Sequence, residues 1–211
     1  MKINIKIGNI TNLSDARYAA GIGAGFAGFC LDKNKEGYLT AAKAKEITGW
    51  MEGPCLVGEW DECEPNEIAE TILEAGIDYV QLNAFNPDII KALQRVSIIQ
   101  NIYIDDYAHT GDIIKAIDSV QYGVNHFMLS FRDNAKQDNY LSSHPHKLML
   151  TEFCRDYPVW LNFDFTVGNI LPLIEEFKPF GINLNGSPED RTGEKDFDYL
   201  NSIVELLESN S

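Results

Sequence analysis

The chain predicts an α/β fold: a single-domain (β/α)8 barrel of the TIM type over residues 1–211. Three observations point there. Short apolar runs with strand character alternate with helical stretches in eight successive units, and a helix after every strand makes the strands parallel. The length of 211 residues lies near the lower end of the ~200–250 such barrels use. No linker, charge block, short-period repeat or low-complexity segment divides the chain. The competing architecture is a doubly wound open sheet, which more often has fewer strands.

Each unit has its own local signals. Ile3, Ile5 and Ile7 alternate with Lys2, Asn4 and Lys6, a strand period, and Gly8-Asn9 breaks it. Asn12 can cap a helix over 13–20 by accepting from the free N–H groups of its first turn. Glycines at 21, 23 and 25 stop that helix, and 26–31 is strand two. Thr40 caps a helix to about residue 51, Gly53-Pro54 ends it, and 55–60 is strand three. Pro65 opens a helix to Ala75 where its missing N–H costs nothing, and Gly76 closes it. Strand four covers 78–82, with a helix from Pro87 to Arg95. Strand five covers 97–104, with a helix from a Thr110 cap to Val120. Strand six covers 125–129. A long polar loop, 130–146, leads into a short helix ending near Asp156. Strand seven (158–163) precedes a helix over 167–177, and strand eight (179–184) precedes the last helix, 196–208.

Composition narrows the function classes. Hydrophobic residues make up 45% of the chain, enough for a real core, and the net charge is −15 with a pI near 4.5. Such acidity disfavours nucleic acid and anionic membrane surfaces as partners. Cys30, Cys55, Cys63 and Cys154 are scattered without a C-x-x-C pair, which reads as reduced thiols in a cytoplasmic protein. No apolar leader segment opens the chain, and no apolar run reaches the length of a membrane span. A monomer or homodimer is expected, with a small-molecule ligand as the partner.

Two motifs have ordinary explanations. Residues 23–28, Gly-Ala-Gly-Phe-Ala-Gly, match G-x-G-x-x-G, but a helix precedes them and a strand follows. A dinucleotide fingerprint needs the reverse order, so a helix end and a glycine-rich strand entry is the better reading. His144-Pro145-His146 offers two ligands where zinc takes three or four, and Cys63 has no adjacent base to activate it. No cofactor and no metal are expected.

The informative residues are polar ones at strand C-termini, which form one shared rim in a barrel. They are Glu59, Asp61, Asn83, Asp105, Asp106, Ser130, Arg132, Asn162, Asp164 and Asn185. Asp164 follows an apolar strand directly, and Glu59 lies inside a strand pattern. A carboxylate at a barrel mouth either pairs with a cation or has a raised pKa, and Lys6 is the expected intrabarrel partner. Asp164, Glu59 and Asp61 are therefore the candidate catalytic groups. Lys6, Gln81, Asn83, Ser130, Asn162, Asn185 and Gly186 are the candidate substrate-binding residues. If the carboxylates held a metal, their oxygens would suit Mg²⁺ or Ca²⁺.

The opening Ile-Lys-Ile-Gly-Asn-Ile-Thr-Asn-Leu-Ser-Asp-Ala resembles that of the phosphoribosylanthranilate isomerases, the tryptophan-pathway barrels, which begin Lys-Ile-Cys-Gly-Ile-Thr. The likeness continues through 23–29, through Tyr79-Val80-Gln81-Leu82, and through 178–183 into Glu189, Gly193 and 195–198. It implies a barrel and an Amadori-type isomerase ancestry. It also implies altered chemistry. The family's general-base cysteine falls on Gly8, its general-acid aspartate on Ser130, and the arginine thought to hold the anthranilate carboxylate on Gly37. Its Gln-Leu-His-Gly histidine becomes Asn83. The phosphate-binding Gly-Gly becomes Phe163-Asp164, and Ser-Ser-Gly becomes Asn185-Gly186-Ser187. The glycine-rich lid has no counterpart over 132–146. The expectation is a diverged homologue that lacks the original isomerisation and binds a small polar molecule or a protein partner. The alternative is an active isomerase, of tryptophan biosynthesis or of another small molecule, using relocated carboxylates.

Overall fold

The computed structural model describes residues 3–93, 95–185, 189–191, 194–195 and 197–210. The eight expected strands are β1 (Asn4–Gly8), β2 (Phe26–Cys30), β3 (Cys55–Trp60), β4 (Tyr79–Leu82), β5 (Ser97–Tyr103), β6 (His126–Ser130), β7 (Val159–Asn162) and β8 (Gly181–Asn185). They pair in sequence order, every pair parallel, and β1 closes on β8 from Asn4 opposite Gly181 to Gly8 opposite Asn185. The result is a closed (β/α)8 barrel.

Helices flank it in the order α1 (Leu13–Gly21), α2 (Ala41–Thr48), α3 (Pro65–Ala75), α4 (Pro87–Ala92), α5 (Thr110–Val120), α6 (Gln137–Ser142), α7 (His144–Asp156), α8 (Ile170–Phe177) and α9 (Asp198–Ser209). Their burial follows the helical period. In α8 Ile170, Leu173, Ile174 and Phe177 are buried, and in α9 Leu200, Ile203, Val204 and Leu207. Asn12 and Thr40 cap α1 and α2 through their side chains as expected, accepting from the N–H groups of Asp15 and Lys43. Gly76 ends α3 in the left-handed conformation.

Several boundaries differ from the sequence reading. Over 130–146 the expected loop instead contains a 3₁₀ turn (Asn134–Lys136), α6 and the start of α7, with Gln137, Tyr140 and Leu141 buried. The two histidines of 144–146 thus open a helix, and the His146 ring stacks on Tyr140 at 3.8 Å. Thr110 is the first helical residue of α5, not its cap; His109 holds the cap position without a side-chain bond. Helices α2 and α4 stop earlier than read, at Thr48 and Ala92, and α8 starts later, at Ile170. A two-stranded antiparallel hairpin, β9 (Glu189–Arg191) and β10 (Glu194–Lys195), lies between β8 and α9.

The barrel interior has two tiers. The lower is apolar: Phe26, Val57, Ile99, Met128 and Trp160 are buried together, with Tyr79 and Phe180 packed against them. Gly181 makes room for the Trp160 indole; a Cβ there would lie 2.4 Å from the ring. Burying each such large side chain contributes about 1.5–3 kcal/mol. The upper tier, at the C-terminal strand ends, is polar.

Candidate functional site

Strand alternation places one inward-facing polar group after another around that upper tier. Lys6 on β1 is fully buried, and its Nζ donates to Glu59 Oε1 on β3 at 2.5 Å and to Asn183 Oδ1 on β8 at 2.9 Å. Asn183 Nδ2 donates to Asn162 Oδ1 on β7 (2.9 Å), Asn162 Nδ2 to Ser130 Oγ on β6 (2.9 Å), and Ser130 Oγ to Asn101 Oδ1 on β5 (2.7 Å). Asn101 Nδ2 then donates to Asn83 Oδ1 (3.2 Å), as does Gln81 Nε2 on β4 (2.8 Å), and Asn83 Nδ2 donates to Asp61 Oδ1 (3.0 Å). Lys35 ion-pairs with Asp61.

This hydrogen-bond chain has a direction. An ammonium only donates and a carboxylate only accepts. With Lys6 at one end and Asp61 at the other, Asn183, Asn162, Asn101 and Asn83 each accept from behind and donate ahead, and Gln81 joins as a side branch that only donates. Seven strands contribute a side chain to this belt and β2 contributes a gap: a Cβ on Gly28 would lie 2.1 Å from Glu59 Oε1 and 2.7 Å from Lys6 Nζ. A connected polar network of this kind favours one arrangement of its members, although the buried Gln81 Oε1 has no partner in it.

Above the belt opens a cavity of about 700 Å³. Its floor is Asn162, Asn183 and Asn185, and Tyr103, Phe131, Phe163 and Tyr199 wall it. Arg132 lies over the Tyr103 ring at 3.9 Å and its Nε donates to Asp106 at 2.7 Å. Asp105 accepts the Arg132 N–H and pairs with Lys136 at 3.2 Å. Burial pushes the Asp105 carboxyl up, but the N–H donors and Lys136 outweigh it and hold it below its ordinary value.

Of the sequence-predicted residues, Asn162, Asn185 and Asp164 line this cavity. Lys6, Gln81 and Ser130 lie buried beneath it, and the Ser130 hydroxyl hydrogen is engaged by Asn101. Gly186 falls outside the described residues. The three candidate carboxylates are not gathered. Glu59 is held by Lys6, and Asp61 lines a neighbouring cavity of about 430 Å³ with Asp32 and Cys63. Burial pushes the Cys63 thiol up to about 11, with Glu67 adding to it. In that cavity, burial pushes the Asp32 carboxyl up, yet the N–H groups of Asn34, Glu62 and Asp61 hold it below the usual range. Among the described residues no group of three His, Cys, Asp or Glu side chains is placed to hold a metal. No described helix is long and apolar enough to cross a membrane.

Asn101 and Asn183 were missed by sequence reasoning. Their signal was parity: Asn183 stands two residues before Asn185 and directly opposite Lys6 in the β1–β8 register. Gln137 was missed because its helix was.

At Gly8 a Cβ would lie 2.5 Å from Asn185 Oδ1 and 3.3 Å from Asn183 Oδ1, so the belt occupies the space of a side chain there. Gly37 has φ +78° and its Cβ would meet Asn9 Oδ1 at 3.1 Å, a conformation that disfavours any larger residue.

No protein-family model matches the chain. Among characterised proteins it is 25% identical to the N-(5'-phosphoribosyl)anthranilate isomerase of Nostoc punctiforme over 98% of this chain and 99% of that protein. It is 26% identical to the enzyme of the same name from Trichormus variabilis, with the same coverage. Among solved structures, phosphoribosyl anthranilate isomerase from Thermus thermophilus superposes with a TM-score of 0.80 at 20% identity, over 99% of this chain and 100% of that one.

Proposed function

We propose that this chain is a diverged member of the phosphoribosylanthranilate isomerase family, to whose members it is 25–26% identical along nearly its whole length, and that it holds a small polar molecule at its barrel mouth without performing the family's Amadori-type rearrangement. The observation that carries this reading is at Gly8, the position of the family's general base in the sequence likeness, where Asn185 stands in the space a side chain would need. Ser130, at the general-acid position, is buried with its proton donated to Asn101. A positioned acid or base supplies about 10²–10⁴ in rate. A glycine and an engaged hydroxyl supply neither. The cavity, its amide floor and its aromatic walls remain, and such a volume suits a small ligand.

The test is direct. Phosphoribosylanthranilate is incubated with the purified chain, beside the Thermus thermophilus isomerase as a positive control. Conversion no faster than in buffer is expected; turnover within about tenfold of an ordinary enzyme rate of ~10 s⁻¹ overturns the reading. A second reading, an active enzyme with relocated carboxylates, rests on Asp164, which lines the cavity with no side-chain hydrogen bond among the described residues. In that case Asp164→Asn abolishes turnover of the substrate in question.

A further inference from the structure

Four cations at the mouth are each paired with a carboxylate among the described residues. Lys6 meets Glu59, Lys35 meets Asp61, Arg132 meets Asp106, and Lys136 meets Asp105. Among the described residues the carboxylate of Asp164 has neither an ion pair nor a hydrogen bond, and it lines the 700 Å³ cavity.

The main chain that carries this carboxylate is held in place. The Asp164 N–H donates to Gln137 Oε1 at 2.7 Å, and its C=O accepts from Gln137 Nε2 at 3.1 Å and from Asn169 Nδ2 at 3.0 Å. One residue on, the Phe165 C=O accepts from the Tyr199 hydroxyl at 2.6 Å. Gln137 is 3% exposed. A buried amide thus grips both backbone polar groups of one residue, and the side chain of that residue is presented to the cavity from a pinned loop. Fixing a binding group before the ligand arrives removes an ordering cost from association. Phe163 and Tyr199 line the same cavity, and aromatic rings attract a cation to their faces. The net charge of −15 sets a field of the same sign.

Each ligand class meets this arrangement differently. A phosphate or carboxylate would bring negative charge to Asp164, while Lys6, Lys35, Arg132 and Lys136 are already paired with carboxylates. A neutral polyol would satisfy the amide floor and leave Asp164 uncompensated. An ammonium with hydroxyl or amide groups answers both. Asn185 is exposed, and among the described residues its amide N–H makes a single 3.4 Å bond, to Asn162, so it keeps donor capacity for such groups.

We propose that the mouth cavity selects a small organic monocation bearing hydroxyl or amide groups, an amino polyol or similar amine, with Asp164 as its counter-ion. The proposal rests on the reading of the site as a small-molecule pocket and adds the class of ligand to it.

The experiment uses one skeleton in three charge states: 1-amino-1-deoxysorbitol, sorbitol and sorbitol 6-phosphate. Binding to the intact chain is measured by ligand-observed NMR and titration calorimetry at neutral pH and low salt. The amine is expected to bind about tenfold or more tighter than sorbitol, the gain of one charge-assisted hydrogen bond, with the phosphate weakest. Asp164→Asn brings the amine down to the level of sorbitol, and an unchanged melting temperature shows that the backbone clamp survives. Equal binding of amine and alcohol, a preference for the phosphate, or no binding of the amine overturns the proposal. Failure of the pocket reading shows separately, as turnover in the isomerase assay; equal binding of amine and alcohol leaves that reading standing and removes the counter-ion.

Discussion

At Gly28 the chain omits a side chain so that two others can meet. Lys6 and Glu59 come together over β2 only because nothing projects from that strand between them. Gly28→Ala is therefore expected to destabilise the fold by about 1–3 kcal/mol, the range for overpacking a filled interior. Urea unfolding checks this as a lower midpoint at unchanged slope. Gly21→Ala is the control, since a Cβ there meets nothing within 4 Å, and it should leave the midpoint alone or raise it slightly. A Gly28→Ala midpoint equal to that of the control would mean the pair relaxes at no cost. The Lys6 pairing was legible in the sequence: a lysine on an alternating strand, on the face that points into a barrel, needs an acid, and Glu59 interrupts a strand pattern. Gly28 was not, because its role is the volume it leaves to others, and no local pattern encodes a neighbour's volume.

Elements were legible wherever the apolar period or a cap was strong, and not where polar composition hid a short helix. Helix α6 has six residues, most of them polar. Its buried face consists of Gln137, Tyr140 and Leu141, and the first of these serves the peptide of Asp164. Strand β6 carries a feature of the opposite kind at its start. His126 lies among Tyr79, Trp160 and Phe180, with ring centroids 5.8, 6.3 and 4.7 Å away, and its Nδ1 has no partner. Burial lowers its pKa. The folded chain therefore resists the proton while the unfolded chain accepts it near the ordinary value of about 6.5. The stability contributed by neutral His126 is complete above that pH and is lost as pH falls through the interval down to the folded-state pKa. Urea unfolding of the parent between about pH 7.5 and 5.5 should show stability falling with pH. His126→Phe, which keeps an aromatic ring and removes the titration, should show a shallower fall. Parallel curves for the two chains would assign the slope to other groups.

For the whole molecule, eight strand–helix alternations in 211 residues left little but closure as the way to bury every strand edge, and β1 does pair with β8. The surface follows a different logic. There are 32 acidic and 17 basic residues. Most of the ion pairs are exposed, such as Lys33 with Glu67 and Lys43 with Glu46, and pairs of that kind contribute only about 0–1 kcal/mol each. The excess acidic charges repel one another in the compact state and less in the expanded one. Salt shortens the range of that repulsion, from a Debye length of about 30 Å at 0.01 M to about 8 Å at 0.15 M. The buried Lys6–Glu59 pair is screened far less, because solvent and counterions do not reach Lys6. Raising sodium chloride across that interval should therefore raise the melting temperature measured by calorimetry, the relief of repulsion outweighing the loss of weak surface pairs. A melting temperature that falls over the same interval would show that the exposed pairs contribute more than the excess charge costs.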